Sequence, residues 1–402
     1  MRIPFLPSIL LALIAVAIDI YIYSVARRRC ASRVPANIHL ILSAVIYVIL
    51  IVAICLPMRH GNESGLMTKM WLLFIVLSIL FPKIFFVSAD LLASIPKIFH
   101  RQRLSWLSIA GGILSMLLFI GMWWGALVNR FRTDIREVEV HVANLPSEFE
   151  GYRIAQISDL HVGTYGSDTR YLKEVVKTVN SLEPDLIVFT GDIVNRRTDE
   201  LVPFADVLSQ LYAHDGVYSI LGNHDYGDYY NWPSEKAKVL NKQHLIDLQR
   251  GMGWRLLLNE HEFIRHGNDS IAIIGVENVG DPPFTVYGDL SRSYPDLSDT
   301  NIKILLTHNP VHWQMEIADN DDANVALTLS GHTHAMQMEI LGLSPAAFRY
   351  DNWGGIYNDT FDMHKLYVNI GIGTVGLPMR MGATPEITLL TLTRKKSNAR
   401  NH

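Results

Sequence analysis

Before residue 128 the chain holds four stretches that water does not tolerate: Phe5 to Val25, Ile38 to Leu56, Trp71 to Leu92 and Leu107 to Leu127. Each is near the roughly 20 residues that cross about 30 Å of hydrocarbon, where every backbone N–H and C=O must be satisfied within the protein. Helices do this within one segment, so residues 1–130 are expected to form a membrane domain of about four transmembrane helices. A buried helical hairpin domain would explain pairs of such helices but not four so evenly spaced. The third stretch is the weakest span, because Lys83 stands beside Pro82 and the run ends near Asp90. The first is read as a retained helix. It lacks a small-residue cleavage site, and Arg27, Arg28 and Arg29 follow its apolar run instead of preceding it. These stretches account for a hydrophobic content of 49%, high for a soluble chain of 402 residues.

Orientation is read from the short loops, where Lys and Arg favour the cytoplasmic side. Arg27, Arg28, Arg29 and Arg33 follow the first stretch, and Lys97, Arg101 and Arg103 follow the third. The loop after the second holds only Arg59 and Lys69, with Glu63 between them. An even number of crossings then puts the N-terminus and everything after the fourth stretch on the extracytoplasmic side. Arg2, Arg130 and Arg132 pull the other way, and one helix fewer would reverse the assignment. The two cysteines, Cys30 and Cys55, both fall in the membrane part, which leaves the remainder without disulfides or a Cys metal site. A net charge of −4 gives no electrostatic case for nucleic acid.

Beyond residue 130 the pattern changes. Residues 131–150 read as a linker and edge strand, with Val138 to Val142 alternating apolar and charged residues. Residues 151–393 form a second domain, and 394–402 a basic tail with Arg394, Lys395, Lys396 and Arg400. Leu172, Val175, Val176 and Val179 fall at helical spacing ahead of Pro184 and a further strand, a βαβ unit. A second helix is expected from Val202 to Leu211, and Tyr226 to Gly253 reads as an insertion. Five segments stand out: QISDLHVG, VFTGDIVNR, SILGNHDY, ILLTHNP and LTLSGHTHAMQM. Each is a Val/Ile/Leu-rich strand that stops at a polar residue, the end of an α/β sheet where ligands collect. His141, His214, His244, His261, His266, His312, His364, His402 and His100 lie outside these segments and read as ordinary surface or packed histidines.

These five segments, D-x-H, G-D, G-N-H-[DE], a lone H and G-H-x-H in that order, resemble the calcineurin-like metallophosphoesterases, and the domain order resembles the membrane-attached branch of that family. The resemblance covers roughly residues 150 to 392. It implies a four-layer αββα sandwich, where the residues alone would give only a mixed α/β domain. It also implies the ligand sets: Asp159, His161, Asp192 and His334 on one metal, and Asp192, Asn223, His308 and His332 on the other, with Asp192 as the bridge. The mixture of Asp, His and Asn suits Mn, Fe or Zn better than Mg or Ca. Two cations about 3.5–4 Å apart generate a hydroxide nucleophile at neutral pH and neutralise phosphoryl oxygens. His224 would face the substrate and protonate the leaving oxygen, with Asp225 orienting its ring. Arg380 and Arg196 are the candidates for phosphate binding. Gly191, Gly222 and Gly331, each directly before a ligand, suggest a tight backbone path.

The expectation is a membrane-anchored two-metal phosphohydrolase, cleaving a phosphoester or pyrophosphate on a lipid-linked or otherwise membrane-presented substrate. A soluble substrate would need no more than a single anchoring helix. A cytoplasm-facing pyrophosphatase of a nucleotide-linked acyl sugar is the alternative, disfavoured by the inferred orientation. A catalytically silent scaffold would be marked by a missing ligand, and none is missing. A transporter-associated domain would draw only on Asp19, Lys83 and Asp90. No protein partner is implied.

Overall fold

The computed structural model describes residues 5–55, 63–280 and 285–394. Arg59 and the tail residues Lys395, Lys396 and Arg400 lie outside the described residues. The chain divides into two compact units, Met1–Leu127 with Gly376–Met379, and Val128–Val375 with Arg380–His402.

The first unit contains four long helices, α1 (Phe5–Arg29), α2 (Val34–Cys55), α3 (Glu63–Ser94) and α4 (Ser105–Leu127). Among the described residues three helical segments are long and apolar enough to cross a membrane: Val34–Cys55, Met67–Phe99 and Ser105–Phe131. α3 runs unbroken through Pro82, so the weakest span by sequence is a continuous helix. Its Lys83 is satisfied from neighbouring helices: Nζ donates to Asp19 Oδ1 at 2.7 Å and to Ser43 Oγ at 3.1 Å. The Tyr47 hydroxyl donates to the other Asp19 oxygen at 2.6 Å. A second acid, Asp90, is held by Arg29 at 2.9 Å, Arg103 at 2.6 Å and the Tyr21 hydroxyl at 2.8 Å. Where α3 meets α4, Gly111 lies so close to Ala89 Cβ that no side chain fits, the small-residue contact that lets helices in lipid approach.

The second unit is built on two six-stranded sheets. One has the order β1-β12-β2-β3-β4-β5, comprising β1 (Asp134–Val142), β2 (Arg153–Ile157), β3 (Leu186–Phe189), β4 (Val217–Ser219), β5 (Arg255–Leu256) and β12 (Glu386–Arg394). The other has the order β10-β11-β9-β8-β7-β6, comprising β6 (Glu260–His266), β7 (Asp269–Gly275), β8 (Ile302–Leu306), β9 (Val325–Ser330), β10 (Gly355–Asn358) and β11 (Lys365–Val368). β2 to β5 are mutually parallel, as are β7, β8, β9 and β11. β1 lies parallel to β12 along its whole length, which makes the segment before Glu150 a sheet edge.

The central strands β2, β3, β8 and β9 are buried and largely apolar on both faces, and their period of two divides them between cores. Ile154, Leu186 and Val188 meet Ile304, Leu306 and Leu329 of the other sheet in the sandwich interior. Ala155, Ile187 and Phe189 face outward onto Leu172, Val175, Val176 and Val179 of α5 (Arg170–Ser181), together with α6 (Ala205–Leu208) and α7 (Glu235–Gly251). On the far side Ile274, Leu305 and Val368 pack against Leu290 of α8 (Leu290–Ser293) and Trp313 of α9 (Val311–Glu316). The result is the αββα layering that the motif resemblance implied. The helix expected from Val202 to Leu211 is shorter. A 3₁₀ turn covers Val202–Phe204, and α6 ends at Leu208, where the Gln210 and Leu211 N–H groups reach back three residues instead of four.

Because the Lys83–Asp19 pair lies among membrane helices, removing one partner strands a charge. Lys83→Met should lower the melting temperature of the detergent-solubilised protein by the equivalent of about 3–5 kcal/mol. Asp19→Asn combined with Lys83→Met should recover most of that loss. A single variant that melts like wild type would remove the pair from the account of the bundle.

Candidate metal centre

Every expected ligand sits just beyond the carboxyl end of a strand. Asp159 and His161 follow β2, Asp192 follows β3, and Asn223 and His224 follow β4. From the other sheet, His308 follows β8, and His332 and His334 follow β9. The two sheets thus deliver their loops to one place, and the structure brings all seven expected ligands together there. Ligand atoms of Asp159, His161 and His334 lie within 4.8 Å of one another, as do those of Asp192, His308 and His332. Asp192 Oδ2 lies between the two sets, 3.6 Å from His161 Nε2 and 3.2 Å from His308 Nε2. Asn223 Oδ1 is 3.1 Å from His308 Nε2 and 2.9 Å from His332 Nδ1, and His334 Nε2 is 3.2 Å from Asp159 Oδ1.

The chemistry of this donor set fits cations. His161 Nε2 and His334 Nε2 face each other at 3.1 Å, and His308 Nε2 and His332 Nδ1 at 3.3 Å. His161 and His308 are fully buried and His334 nearly so, and ring nitrogens this close need a proton or a cation between them. The opposite edges of three rings are fixed elsewhere, as metal-binding imidazoles require. His161 Nδ1 contacts Val194 O at 3.2 Å, His308 Nδ1 contacts Thr190 O at 2.7 Å, and His332 Nε2 contacts the Tyr350 hydroxyl at 3.2 Å. Asn223 Nδ2 donates to the Tyr229 hydroxyl at 2.8 Å, which turns its Oδ1 toward the histidines.

The backbone is distorted to achieve this. Asp159, His161, Asp192, His332 and His334 all have positive φ, between 42° and 75°. Left-handed conformations at such residues cost about 1–3 kcal/mol each and concentrate at functional sites. The glycines are required by proximity. A Cβ on Gly191, whose φ is +97°, would lie 2.5 Å from Gly222 N and 2.9 Å from His308 Nδ1. A Cβ on Gly222 would meet Asp192, and one on Gly331 would meet Ser158 and Asp159.

Electrostatics follow from burial and crowding. Burial alone would lower the His308 pKa, but the Asp192 carboxylate at its Nε2 outweighs it, and the ring is raised to about 9. His332 is pushed down to about 3 by burial and by the charge on His308. Asp192 is held well below the usual carboxylate range, since the histidines around it outweigh its burial.

Two expected roles need correction. Asp225 does not orient His224. Its carboxylate is buried and accepts from the N–H groups of Asp192, Ile193, Val194 and Gly222, so it clamps the two ligand loops to each other. The ring of His224 is held instead by the Asn195 carbonyl, 2.6 Å from Nδ1, and packs on Tyr229 with centroids 4.3 Å apart. Arg380 does not reach a substrate surface. It is fully buried, donates to the carbonyls of Gly373, Ala383 and Ile370, and places Nη2 3.1 Å from His334 Nδ1, behind the ligands. A buried guanidinium must spend its donors locally, which a glycine-rich motif does not reveal. Arg196 is half-buried, its guanidinium 5.9 Å from the Tyr230 ring centre, and Arg197 pairs with Asp199.

Sequence reasoning missed Tyr229, Tyr350 and the Asn195 carbonyl. Tyr229 falls within the expected insertion Tyr226 to Gly253, whereas nothing signalled Tyr350. His214 and His266, read as ordinary, both contact Asp215 at 3.0 Å, and the Tyr152 hydroxyl donates to the same carboxylate at 2.5 Å.

A family model described as "Calcineurin-like phosphoesterase" matches residues 152–336, and one described as "Probable Calcineurin-like phosphoesterase, transmembrane domain" matches residues 1–130. An uncharacterized metallophosphoesterase of Bacillus subtilis is 34% identical over 260 residues, covering 62% of this chain and 81% of its own. A transmembrane protein with metallophosphoesterase domain from Danio rerio is 28% identical, covering 74% of this chain and 67% of its own. A UDP-2,3-diacylglucosamine pyrophosphatase of Chlamydia trachomatis is 26% identical, covering 76% of this chain and 98% of its own.

Asp192→Ala and Asn223→Ala should each lower bound metal, read by elemental analysis, and abolish hydrolysis, since ligands act as a unit. Activity within about tenfold of wild type in either would sink the assignment. Gly222→Ala should do the same through loop displacement, with no ligand removed. Without a cation His308 carries a proton below about pH 9, and a protonated ring cannot ligate. Metal uptake near neutrality should therefore release about one proton, and affinity should rise with pH up to about 9. Calorimetric titrations in buffers of different ionisation heat measure this directly, and identical heats in all of them would refute it.

Proposed function

This chain belongs to the calcineurin-like metallophosphoesterases, and from that premise we propose that it is a membrane-anchored hydrolase using two divalent cations, Mn, Fe or Zn, to both of which Asp192 would contribute. The observation that carries this reading is the convergence of two ligand sets on that single carboxylate. Asp159, His161, Asp192 and His334 would hold one ion, and Asp192, Asn223, His308 and His332 the other. When bound, such ions lower the pKa of water and neutralise phosphoryl oxygens.

The chain's own groups supply the rest. With its Nδ1–H donated to the Asn195 carbonyl, His224 leaves Nε2 as the group that hands a proton to the departing oxygen. Tyr229 stacks on that ring while holding Asn223, so one residue of the insertion sets both a ligand and the acid. Arg196, beside Tyr230 on the following loop, remains the phosphate-binding candidate. The substrate is a phosphoester or pyrophosphate carried by a lipid or held at the bilayer, a reading supported by the transmembrane domain and by the diacyl sugar nucleotide in the name of the Chlamydia relative. The loop charges favour an extracytoplasmic catalytic domain. A cytoplasm-facing pyrophosphatase of an acylated sugar nucleotide is the second reading, favoured by that same relative.

His224→Ala should keep its metal while turnover falls by about 10² or more, the usual scale for a lost general acid. The loss should shrink on p-nitrophenyl phosphate, whose leaving group needs little protonation. Equal losses on good and poor leaving groups would make the residue structural. Sidedness is tested by reporters fused after His402: one active only outside the cytoplasm should work, and a cytoplasmic one should stay silent. The reverse outcome would favour the acyl sugar nucleotide.

A further inference from the structure

The segment that follows the last two ligands leaves the metal centre and returns to it, and between those points it exposes apolar side chains that water alone does not explain. Met336 is 45% exposed, Ile340 53%, Leu341 98%, Leu343 77% and Phe348 95%. Scattered exposed apolar residues are ordinary, but five within thirteen positions are a density of the kind that marks a membrane or partner surface. Its geometry strengthens the point. Ile340 and Leu343 exchange N–H···O bonds of 2.9 and 3.0 Å across a two-residue hairpin turn. The turn residues Leu341 and Gly342 have φ of 53° and 77°, the type I′ pattern for which Asn-Gly is the usual sequence. Leucine is a poor choice there on two counts, a bulky side chain at positive φ and a bulky apolar group at the exposed tip. An Asn would relieve both.

The patch is also fastened to the chemistry at each end. Ser344 Oγ donates to the carbonyl of Ala335, the residue after ligand His334, at 2.6 Å. At the other end the Tyr350 hydroxyl touches ligand His332 at 3.2 Å. The chain that presents this patch already lives at a bilayer: its last apolar span closes at Phe131, and β1 begins at Asp134. A surface held there by so short a covalent connection meets lipid at far higher local concentration than any soluble protein.

We propose that the 336–348 segment is a membrane-dipping loop, with Leu341 and Phe348 entering the headgroup and acyl boundary, so that a phosphate carried by a lipid reaches the metal centre without leaving the bilayer. Interfacial elements of this kind bury their apolar side about 5–10 Å deep. The presentation role rests on the proposed lipid-borne substrate, whereas the insertion does not.

The test uses the full chain in vesicles of phosphatidylcholine and phosphatidylglycerol, with Cys30→Ser and Cys55→Ser removing the native thiols. A nitrobenzoxadiazole probe on Leu341→Cys should emit at blue-shifted wavelength and be quenched by spin-labelled lipids several-fold more than the same probe on Tyr212→Cys, whose side chain is 73% exposed. Equal, water-like emission at both positions would overturn the insertion, and would point to a protein partner for the patch. In a second arm, Leu341→Asp with Phe348→Asp should leave hydrolysis of p-nitrophenyl phosphate within about twofold while cleavage of a prenyl pyrophosphate in the vesicles falls at least tenfold. Equal loss on both substrates would overturn the presentation role. If the wild type cleaves the soluble ester but no vesicle lipid, the lipid-substrate reading fails, and the probe result still decides insertion.

Discussion

The catalytic unit is organised around a crowding of metal-type donor groups. Four imidazoles, with ring nitrogens paired at 3.1 and 3.3 Å, and two carboxylates crowd into a largely buried space. Nothing in an apolar core would hold such a set together, so the surrounding structure must. It does so by ending rigid parallel strands from two different sheets at the same point. Asp225 then fastens the β3 and β4 loops with four backbone N–H bonds. The positive φ of five ligands and the contact of Gly191 with Gly222 are local consequences of that crowding. Cations held there would turn that crowding into attraction, which is why metal removal and loop displacement are expected to look alike.

The two units follow different solvent rules with related solutions. In the sandwich the hydrophobic effect drives Ile, Val and Leu inward, and the donor groups of the candidate metal centre gather beyond the strand ends. Among the membrane helices that drive is absent, and the buried polar groups carry the specificity instead: Asp19 with Lys83 and Tyr47, and Asp90 with Arg29 and Arg103. These contacts explain how a helix among apolar neighbours accommodates Lys83.

The candidate metal ligands were legible because their positions are dictated by chemistry and punctuated by secondary structure. An Asp, His or Asn directly after a β-run and a glycine can be read in one dimension. The residues around them were not. Arg380 and Asp225 carry charges that suggest substrate or ring contacts, yet both are buried and spent on backbone groups, and burial is a property of the whole fold. Asn195 acts through its carbonyl, which every residue has, and Tyr350 arrives from a turn far along the chain.

The sequence by itself determined the membrane segment, the alternation of buried strands and helices, and the seven candidate ligands with Asp192 among them, because hydropathy, period and donor chemistry are local. Tertiary structure decided which face of each strand meets which core, which carbonyl holds His224, and that Leu341 sits at the tip of a turn beside the metal centre. Those outcomes depend on distances between residues far apart in the chain, and only the packing of two sheets fixes them.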